Sequence, residues 1–350
     1  MVTILATGGL GFVGSHCSIQ LLNNGFDVCI VDSLINSSEE NLTNIKKILS
    51  LNKDEFKGKL FFKKGDVRNI KFMDEIFKEF SYLNKPIVSV FHFAGLKSVE
   101  ESFNNPLKYW DHNINAALGV LHVMNKNHCN NFIFSSSATI YKPENDKKLL
   151  ETFFKEPINA YGNSKLTIER MLEDLYKSDN GRWKIANLRY FNPAGAHQTG
   201  LIGESPSSLS SNLFPIMLEV ATKKREKLYI YGNDWPTRDG TCIRDYIHIM
   251  DLADAHIAAF NLLNKSKSQI LNLNIGTGQG ASVLDVFNTF TRVNKIKIDY
   301  EYTSRRPGDP PYVVADNSLA LKILNWKPQK SLEDMCIDSW KWIQKSRKFN

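Results

Sequence analysis

The segment Thr7-Gly8-Gly9-Leu10-Gly11-Phe12-Val13-Gly14 follows an apolar strand pattern, Val2-Thr3-Ile4-Leu5-Ala6, and runs straight into a helical one. A strand that turns through glycine into a helix commits the chain to a βα crossover and hence to a parallel sheet. Glycines at 8, 11 and 14 let the backbone approach a diphosphate and let the helix pack close to its strand, while the helix N-terminus offers N–H groups and a positive dipole. The helix is expected over residues 15–24, with Gly25 as its left-handed cap. The next strand, over 26–31, delivers Asp32 to its end, 18 residues after Gly14, where a carboxylate can hold adenosine ribose hydroxyls. Ser33-Leu34 follow it with no adjacent arginine to receive a 2′-phosphate, which favours NAD over NADP. The plainer alternative is that Asp32 simply caps a turn.

Further βα units follow: helices over 39–51 and 69–80, and strands over 59–64 and 87–93. The last runs into Ala94-Gly95-Leu96-Lys97, where small residues let the backbone lie beside a cofactor that Lys97 can reach. A long helix is expected from Pro106 to about His128. A strand over 131–134 then ends in Ser135-Ser136-Ser137-Ala138-Thr139-Ile140-Tyr141, a serine run at the carboxyl end of a parallel strand, which faces the ligand crevice. Tyr161-Gly162-Asn163-Ser164-Lys165 places a phenol and an ammonium on one helical face about 6 Å apart. A nearby cation favours phenolate, so Tyr161 can act as a base; the same spacing is also common on ordinary surface helices. After a strand over 183–190, Phe191-Asn192-Pro193-Ala194-Gly195 leaves the sheet and the βα alternation is lost. The expected fold is α/β: a Rossmann-type doubly wound parallel sheet over 1–191, to which about 241–276 returns, and a smaller mixed α/β C-terminal substrate domain over 192–350. In the latter, a serine-rich loop over 205–211 precedes a helix over 213–224 and a strand over 228–231.

Charge and cysteine usage narrow the class. A net charge of +7 comes from alternating charges without a long basic tract, so neither nucleic acid nor membrane is an expected partner. The densest run, Lys223 to Lys227, is expected to be the solvated end of a helix. The 5 cysteines form no CxxC pair and suggest neither a disulfide framework nor a metal site. No apolar run approaches a membrane span and the first strand lacks a preceding basic segment, so a cytoplasmic location is expected.

Several further segments carry a family resemblance: His92-Phe93-Ala94-Gly95-Leu96-Lys97, Phe132 to Thr139, Tyr161-Gly-x-Ser-Lys165, Leu188-Arg189-Tyr190-Phe191-Asn192-Pro193, Arg244-Asp245-Tyr246-Ile247-His248 and Arg305-Arg306-x-Gly-Asp309. With the glycine turn, they make the chain resemble the extended short-chain dehydrogenase/reductase family, and within it the UDP-glucose (UDP-galactose) 4-epimerase branch, almost end to end. The resemblance implies a tightly held NAD that oxidises C4 of a UDP-sugar to a ketone and re-reduces it from the other face. Tyr161 is then the base, Lys165 holds the nicotinamide ribose and lowers the tyrosine pKa, and Ser137 hydrogen-bonds O4. The cofactor set it implies is Gly8, Gly11, Phe12, Val13, Gly14, Asp32, Asn36, Ser37, Asp66, Val67, Phe93, Ala94, Lys97, Tyr161, Lys165 and Phe191. The substrate set is Ser137, Tyr161, Asn192, Asn212, Leu213, Tyr229, Tyr231, Arg244, Arg306, Asp309 and Val313, the arginines matching a diphosphate. A homodimer is implied as well. Val313 stands where a bulky tyrosine marks hexose-only members, so N-acetylhexosamine substrates are also expected. His112 replaces a usual asparagine, Lys142-Pro143 a glycine, and Ala160 a proline.

Two other readings compete. A nucleotide-sugar 4,6-dehydratase shares the C4 oxidation but needs carboxylates in the serine-rich segment, where this chain has Ser137-Ala138-Thr139. A non-catalytic NAD-binding sensor accounts for the glycine turn but gives Ser137, Tyr161 and Lys165 no task.

Overall fold

The computed structural model describes residues 2–51, 58–142, 147–178, 181–205, 212–306 and 308–347. Pro143 and most of the serine-rich loop, residues 206–211, lie outside the described residues. In chain order the elements are β1 (Thr3–Thr7), α1 (Phe12–Asn23), β2 (Asp27–Asp32), α2 (Glu39–Leu51), β3 (Leu60–Lys64), α3 (Ile70–Tyr82), β4 (Ile87–His92), α4 (Val99–Asn104) and α5 (Pro106–Tyr109). A π-helical turn (Trp110–Ile114) leads to α6 (Asn115–Lys126), β5 (Asn131–Ser137), α7 (Ala160–Ser178), β6 (Lys184–Tyr190) and β7 (Asn192–Ala194). Then come α8 (Leu213–Ala221), β8 (Leu228–Tyr231), β9 (Ile243–His248), α9 (Ile249–Lys265), β10 (Gln269–Ile275), β11 (Gly280–Ser282), α10 (Val283–Asn294), β12 (Tyr300–Thr303), β13 (Tyr312–Val313), α11 (Ser318–Leu324) and α12 (Leu332–Arg347).

The chain divides into two compact units. The first comprises Met1–Ile140, Lys155–Arg189 and Ala253–Leu273. Its seven-stranded sheet has the order β10-β6-β5-β4-β1-β2-β3, and β3-β2-β1-β4-β5 pair in parallel. That is the doubly wound order in which ligands lie outside the carboxyl ends of the strands. Runs such as Val28-Cys29-Ile30-Val31 are wholly buried because helices cover the sheet. One core gathers Val90, Phe132 and Phe134 of the strands with Phe77 and Phe80 of α3, Val120 and Met124 of α6, and Ile168 and Leu172 of α7. Asn69 caps α3 by accepting from the Phe72 N–H at 3.1 Å.

The second unit comprises Tyr141–Phe154, Tyr190–Leu252 and Asn274–Asn350. In it β9 lies between β11, antiparallel, and β13, parallel, and also pairs in parallel with β7; β8 and β12 form a separate parallel pair. Helices α8, α10 and α12 pack around Met217, Val286, Phe290, Met335 and Trp342. The mixed α/β architecture expected after residue 191 is present.

Three helices depart from the sequence expectation. Helix α1 begins at Phe12 rather than residue 15, because its N-cap is Gly11. The helix expected from Pro106 to His128 is interrupted by the π-helical turn at Trp110–Ile114, and it ends at Lys126 because His128 adopts φ +54°. Helix α8 ends at Ala221 rather than Lys224, since Lys223 adopts φ +59°. The basic run from Lys223 therefore follows the helix; Arg225 in it pairs with Glu219. Among the described residues, no helix is long and apolar enough to cross a membrane.

Candidate active site

An open cavity in the first unit lies against the carboxyl ends of β1 to β4. Of the expected cofactor residues, Gly8, Asp32, Asn36, Asp66, Val67 and Ala94 line it. The glycine turn is close-packed for two separate reasons. Gly8 has φ +67°, and a Cβ there would stand 2.6 Å from the Ala94 nitrogen; a Cβ at Gly14 would stand 2.4 Å from the Gly8 carbonyl oxygen. These glycines allow β1, α1 and the loop after β4 to meet. Gly11 differs. It is the N-cap of α1, its φ of −68° is open to any residue, and it has no side-chain cap. The first-turn N–H groups of α1 thus have no side-chain acceptor from their N-cap, as a bound diphosphate requires.

Asp32 caps the turn, one of the two tasks that its sequence position allowed. Its Oδ2 accepts from the Leu10 N–H at 2.9 Å, and its Oδ1 accepts from the Leu34 N–H at 2.9 Å and the Ser37 hydroxyl at 2.8 Å, while the residue also lines the cavity. Arg68 is a cavity residue that the sequence left unmarked. Its Nε and Nη2 bond Asp66, and its Nη1 bonds Asp111, so its guanidinium is held by two carboxylates. The pair draws the Asp66 carboxyl below its ordinary range, chiefly through that hydrogen bond. His112, on the π-helical turn, also lines the cavity, with Nδ1 against the Lys108 carbonyl oxygen at 2.9 Å. Lys97 lies with its ammonium 5.9 Å from the centre of the Phe12 ring.

Tyr161, Lys165 and Ser137 converge within the same unit. Tyr161 and Lys165 occupy one face of α7, and Lys165 Nζ sits 5.8 Å from the centre of the Tyr161 ring while donating to the Ser135 carbonyl oxygen at 2.8 Å. Burial raises the Tyr161 pKa, and a hydrogen bond with Ser137 lowers it. Burial also draws Lys165 down to about 8. The sequence expectation that the lysine charge eases ionisation of the phenol is therefore opposed by desolvation, and Ser137 is the neighbour that acts in the favourable direction. Asn113, from the π-helical turn, accepts from the Leu96 N–H at 2.8 Å and donates to Ser164 Oγ at 2.9 Å, linking the loop after β4 to α7.

The expected substrate residues other than Ser137 and Tyr161 stand in the second unit, as does Phe191. Asn192 opens β7, and Asn212 is the N-cap of α8, whose first residue is Leu213. Tyr229 and Tyr231 alternate outward on β8. The Arg306 guanidinium lies 4.4 Å from the centre of the Tyr231 ring, Arg244 Nη2 lies 3.6 Å from Asp309 Oδ1, and Val313 is in register with Arg244. Arg305 and Trp235 extend this aromatic and cationic surface at a separation of 4.2 Å, a contact that no sequence spacing signals.

Residues 5–339 match a family model described as GDP-mannose 4,6 dehydratase. The chain is 42% identical over 344 residues to UDP-glucose 4-epimerase GEPI48 of Cyamopsis tetragonoloba, covering 98% of this chain and 95% of that one. It is 42% identical to the UDP-glucose 4-epimerase of Bacillus subtilis (strain 168), covering 97% and 96%. The chain belongs to the UDP-glucose 4-epimerase family. A crystal structure of the Stenotrophomonas maltophila UDP-glucose-4-epimerase with bound NAD and formylated UDP-arabinopyranose superposes with a TM-score of 0.94, at 38% identity and full coverage of both chains. That of the Bifidobacterium longum enzyme in complex with NAD⁺ and UDP gives 0.90 at 39% identity, covering 99% of each. Of the residues expected from the resemblance to be departures, His112 lies in the middle of the π-helical turn, Lys142 lies beside the Tyr141 limit of the second unit, and Ala160 is the first residue of α7.

Proposed function

We propose that the protein interconverts UDP-glucose and UDP-galactose, with the first unit holding NAD and the second holding the UDP-sugar. The observation that carries this reading is the meeting of Tyr161, Lys165 and Ser137 at the end of β5, in a unit whose glycine turn and Asp32 suit a dinucleotide. Relatives at 42% identity named as epimerases support it.

Bound NAD supplies the two-electron acceptor that takes the C4 hydrogen of the sugar and gives it back. Tyr161 accepts the O4 proton, and Ser137 holds O4 and passes the proton along. Lys165 holds ribose hydroxyls and keeps a positive charge near the phenol. Arg244 and Arg306 hold the diphosphate, with Asp309, Asn192, the α8 N-cap Asn212 and Leu213 orienting the nucleotide. The resulting 4-keto sugar presents its other face for re-reduction, and Tyr161 returns the proton to O4. No net oxidation occurs, so the cofactor stays bound from one turnover to the next. A dehydratase would need a carboxylate beside C5 and C6, and the segment Ser137-Ala138-Thr139 carries none.

Val313 extends the substrate range. A half-buried valine in register with Arg244 leaves more room than tyrosine would, which favours UDP-GlcNAc and UDP-GalNAc as further substrates. A cytoplasmic homodimer completes the proposal. Phe103, Leu107 and Trp110 are exposed apolar side chains, Leu107 82% exposed, and a second copy would cover them.

The test is incubation of the purified protein with UDP-galactose and no added NAD. UDP-glucose is expected. A 4-keto-6-deoxy sugar would establish the dehydratase instead, and no turnover by protein that contains NAD would establish the sensor.

A further inference from the structure

Three consecutive residues of β5 are each engaged by a different member of one stripe on α7. Tyr161, Lys165 and Glu169 recur every four residues and so share a helical face. Ser137 hydrogen-bonds Tyr161, the Ser135 carbonyl oxygen accepts from Lys165 Nζ at 2.8 Å, and Ser136 Oγ donates to Glu169 Oε1 at 2.5 Å. Arg189 of β6 grips the same carboxylate in bidentate fashion, Nε to Oε1 at 2.9 Å and Nη2 to Oε2 at 2.7 Å. Glu169 and Arg189 are only 5% and 2% exposed.

A buried ion pair is poor evidence of a stability device, since two charges removed from water regain little, and apolar residues of similar volume often hold a core as well. What the planar fork adds is geometry. It ties α7 to two adjacent strands at a point two helical turns from Tyr161.

We infer that Glu169 and Arg189 are positioning residues that fix the register of α7 along β5, and through it the Ser137–Tyr161 contact on which proton transfer depends. The inference rests on the reading of Tyr161 as the base. A slip of α7 along β5 would weaken that contact and leave burial of the phenol unopposed, raising its pKa. The other charges in this region are Lys155, which interacts with Arg189, Glu169 and Glu173, and Lys165, which faces His92 of β4. The ion pair as a whole is neutral, so replacing both members leaves the balance of charge around Tyr161 unchanged.

The experiment compares wild type, the double variant Glu169→Gln/Arg189→Met, and Arg189→Lys, which keeps the charge but not the fork. Readouts are thermal midpoint, bound NAD per chain, kcat and KM for UDP-galactose, and the pH profile of kcat/KM. In the double variant NAD content and KM are expected to stay within about twofold, while kcat falls roughly tenfold to a hundredfold. The acid limb of the profile should move to higher pH. Arg189→Lys should move the limb in the same direction, and it decides the matter alone if the double variant does not fold. A folded variant with the wild-type kcat and acid limb would overturn the inference. Failure of the wild type to turn over UDP-galactose would overturn the proposed function instead, so the two failures are distinct.

Discussion

Gly11 and Gly14 lie three residues apart in one turn, yet substitution should harm them in opposite ways. A Cβ at Gly14 would stand 2.4 Å from the Gly8 carbonyl oxygen and 2.8 Å from the Gly9 Cα, both backbone atoms. Ordinary carbon–oxygen contacts begin at about 3.3 Å, so α1 must lift by about 1 Å to admit alanine. Overpacking of that kind costs about 1–3 kcal/mol, a fall in melting temperature of the order of 2–6 °C. A Cβ at Gly11 would meet only the Gly8 oxygen, at 3.3 Å. Gly11→Ser also supplies an N-cap acceptor to a helix that lacks one, so the fold should keep its stability within about 0.5 kcal/mol. Its hydroxyl, however, would take the N–H groups that a diphosphate needs. Melting is measured on protein freed of nucleotide, because bound NAD raises the midpoint by mass action. NAD per chain is measured on protein as purified, after release in acid. Gly14→Ala should melt early, whereas Gly11→Ser should melt as wild type but carry at least roughly tenfold less NAD. Full NAD content in Gly11→Ser, or an unshifted midpoint in Gly14→Ala, would refute this account of the turn.

Four other outcomes are expected. Tyr161→Phe should lower kcat by about 10²–10⁴-fold while NAD content holds; near-normal turnover would remove Tyr161 from the mechanism. Lys165→Met should abolish most turnover yet raise stability at pH 7. The wild-type lysine is protonated up to about 8 when folded and up to about 10.5 when unfolded, so between those values the unfolded chain binds more protons and wild-type stability rises with pH. The variant's advantage, at most about 3 kcal/mol, should therefore shrink from pH 8 to 10.5, and denaturant titrations in which it stays constant would contradict the assigned cause. Val313→Tyr should suppress turnover of UDP-GlcNAc and spare UDP-galactose, an idea that fails if the wild type ignores UDP-GlcNAc. Leu107→Glu should convert a dimer into a folded monomer in sedimentation, and a monomeric wild type would dispose of the proposed dimer.

The first unit's architecture was legible because its signals are local: a glycine turn, Asp32 at a strand end, and apolar runs alternating with helical periods. Strands of two or three residues, such as β7, β11 and β13, hold too few side chains to display a period. Arg68 reads from sequence as one more basic residue, because its place in the cavity depends on β3 and the π-helical turn approaching through the fold. Glu169 likewise resembles any solvent-facing glutamate until Arg189, twenty residues on, is seen to meet it. The balance at Tyr161 was hidden for a related reason. Spacing reveals that a lysine is near, but the energy of removing both groups from water belongs to the packed structure.

The π-helical turn at Trp110–Ile114 also constrains how this chain can change. A single residue added to or lost from a helix rotates everything beyond it by about 100°. Here the turn absorbs such a rotation, leaving Leu107 exposed on one side and Asn113 buried between Leu96 and Ser164 on the other. A substitution at the half-buried His112 leaves the phase of the turn intact, whereas a deletion would swing Asn113 out of phase with both of its partners at once. The turn is thus closed to drift in length whatever the chemistry of its exposed residues.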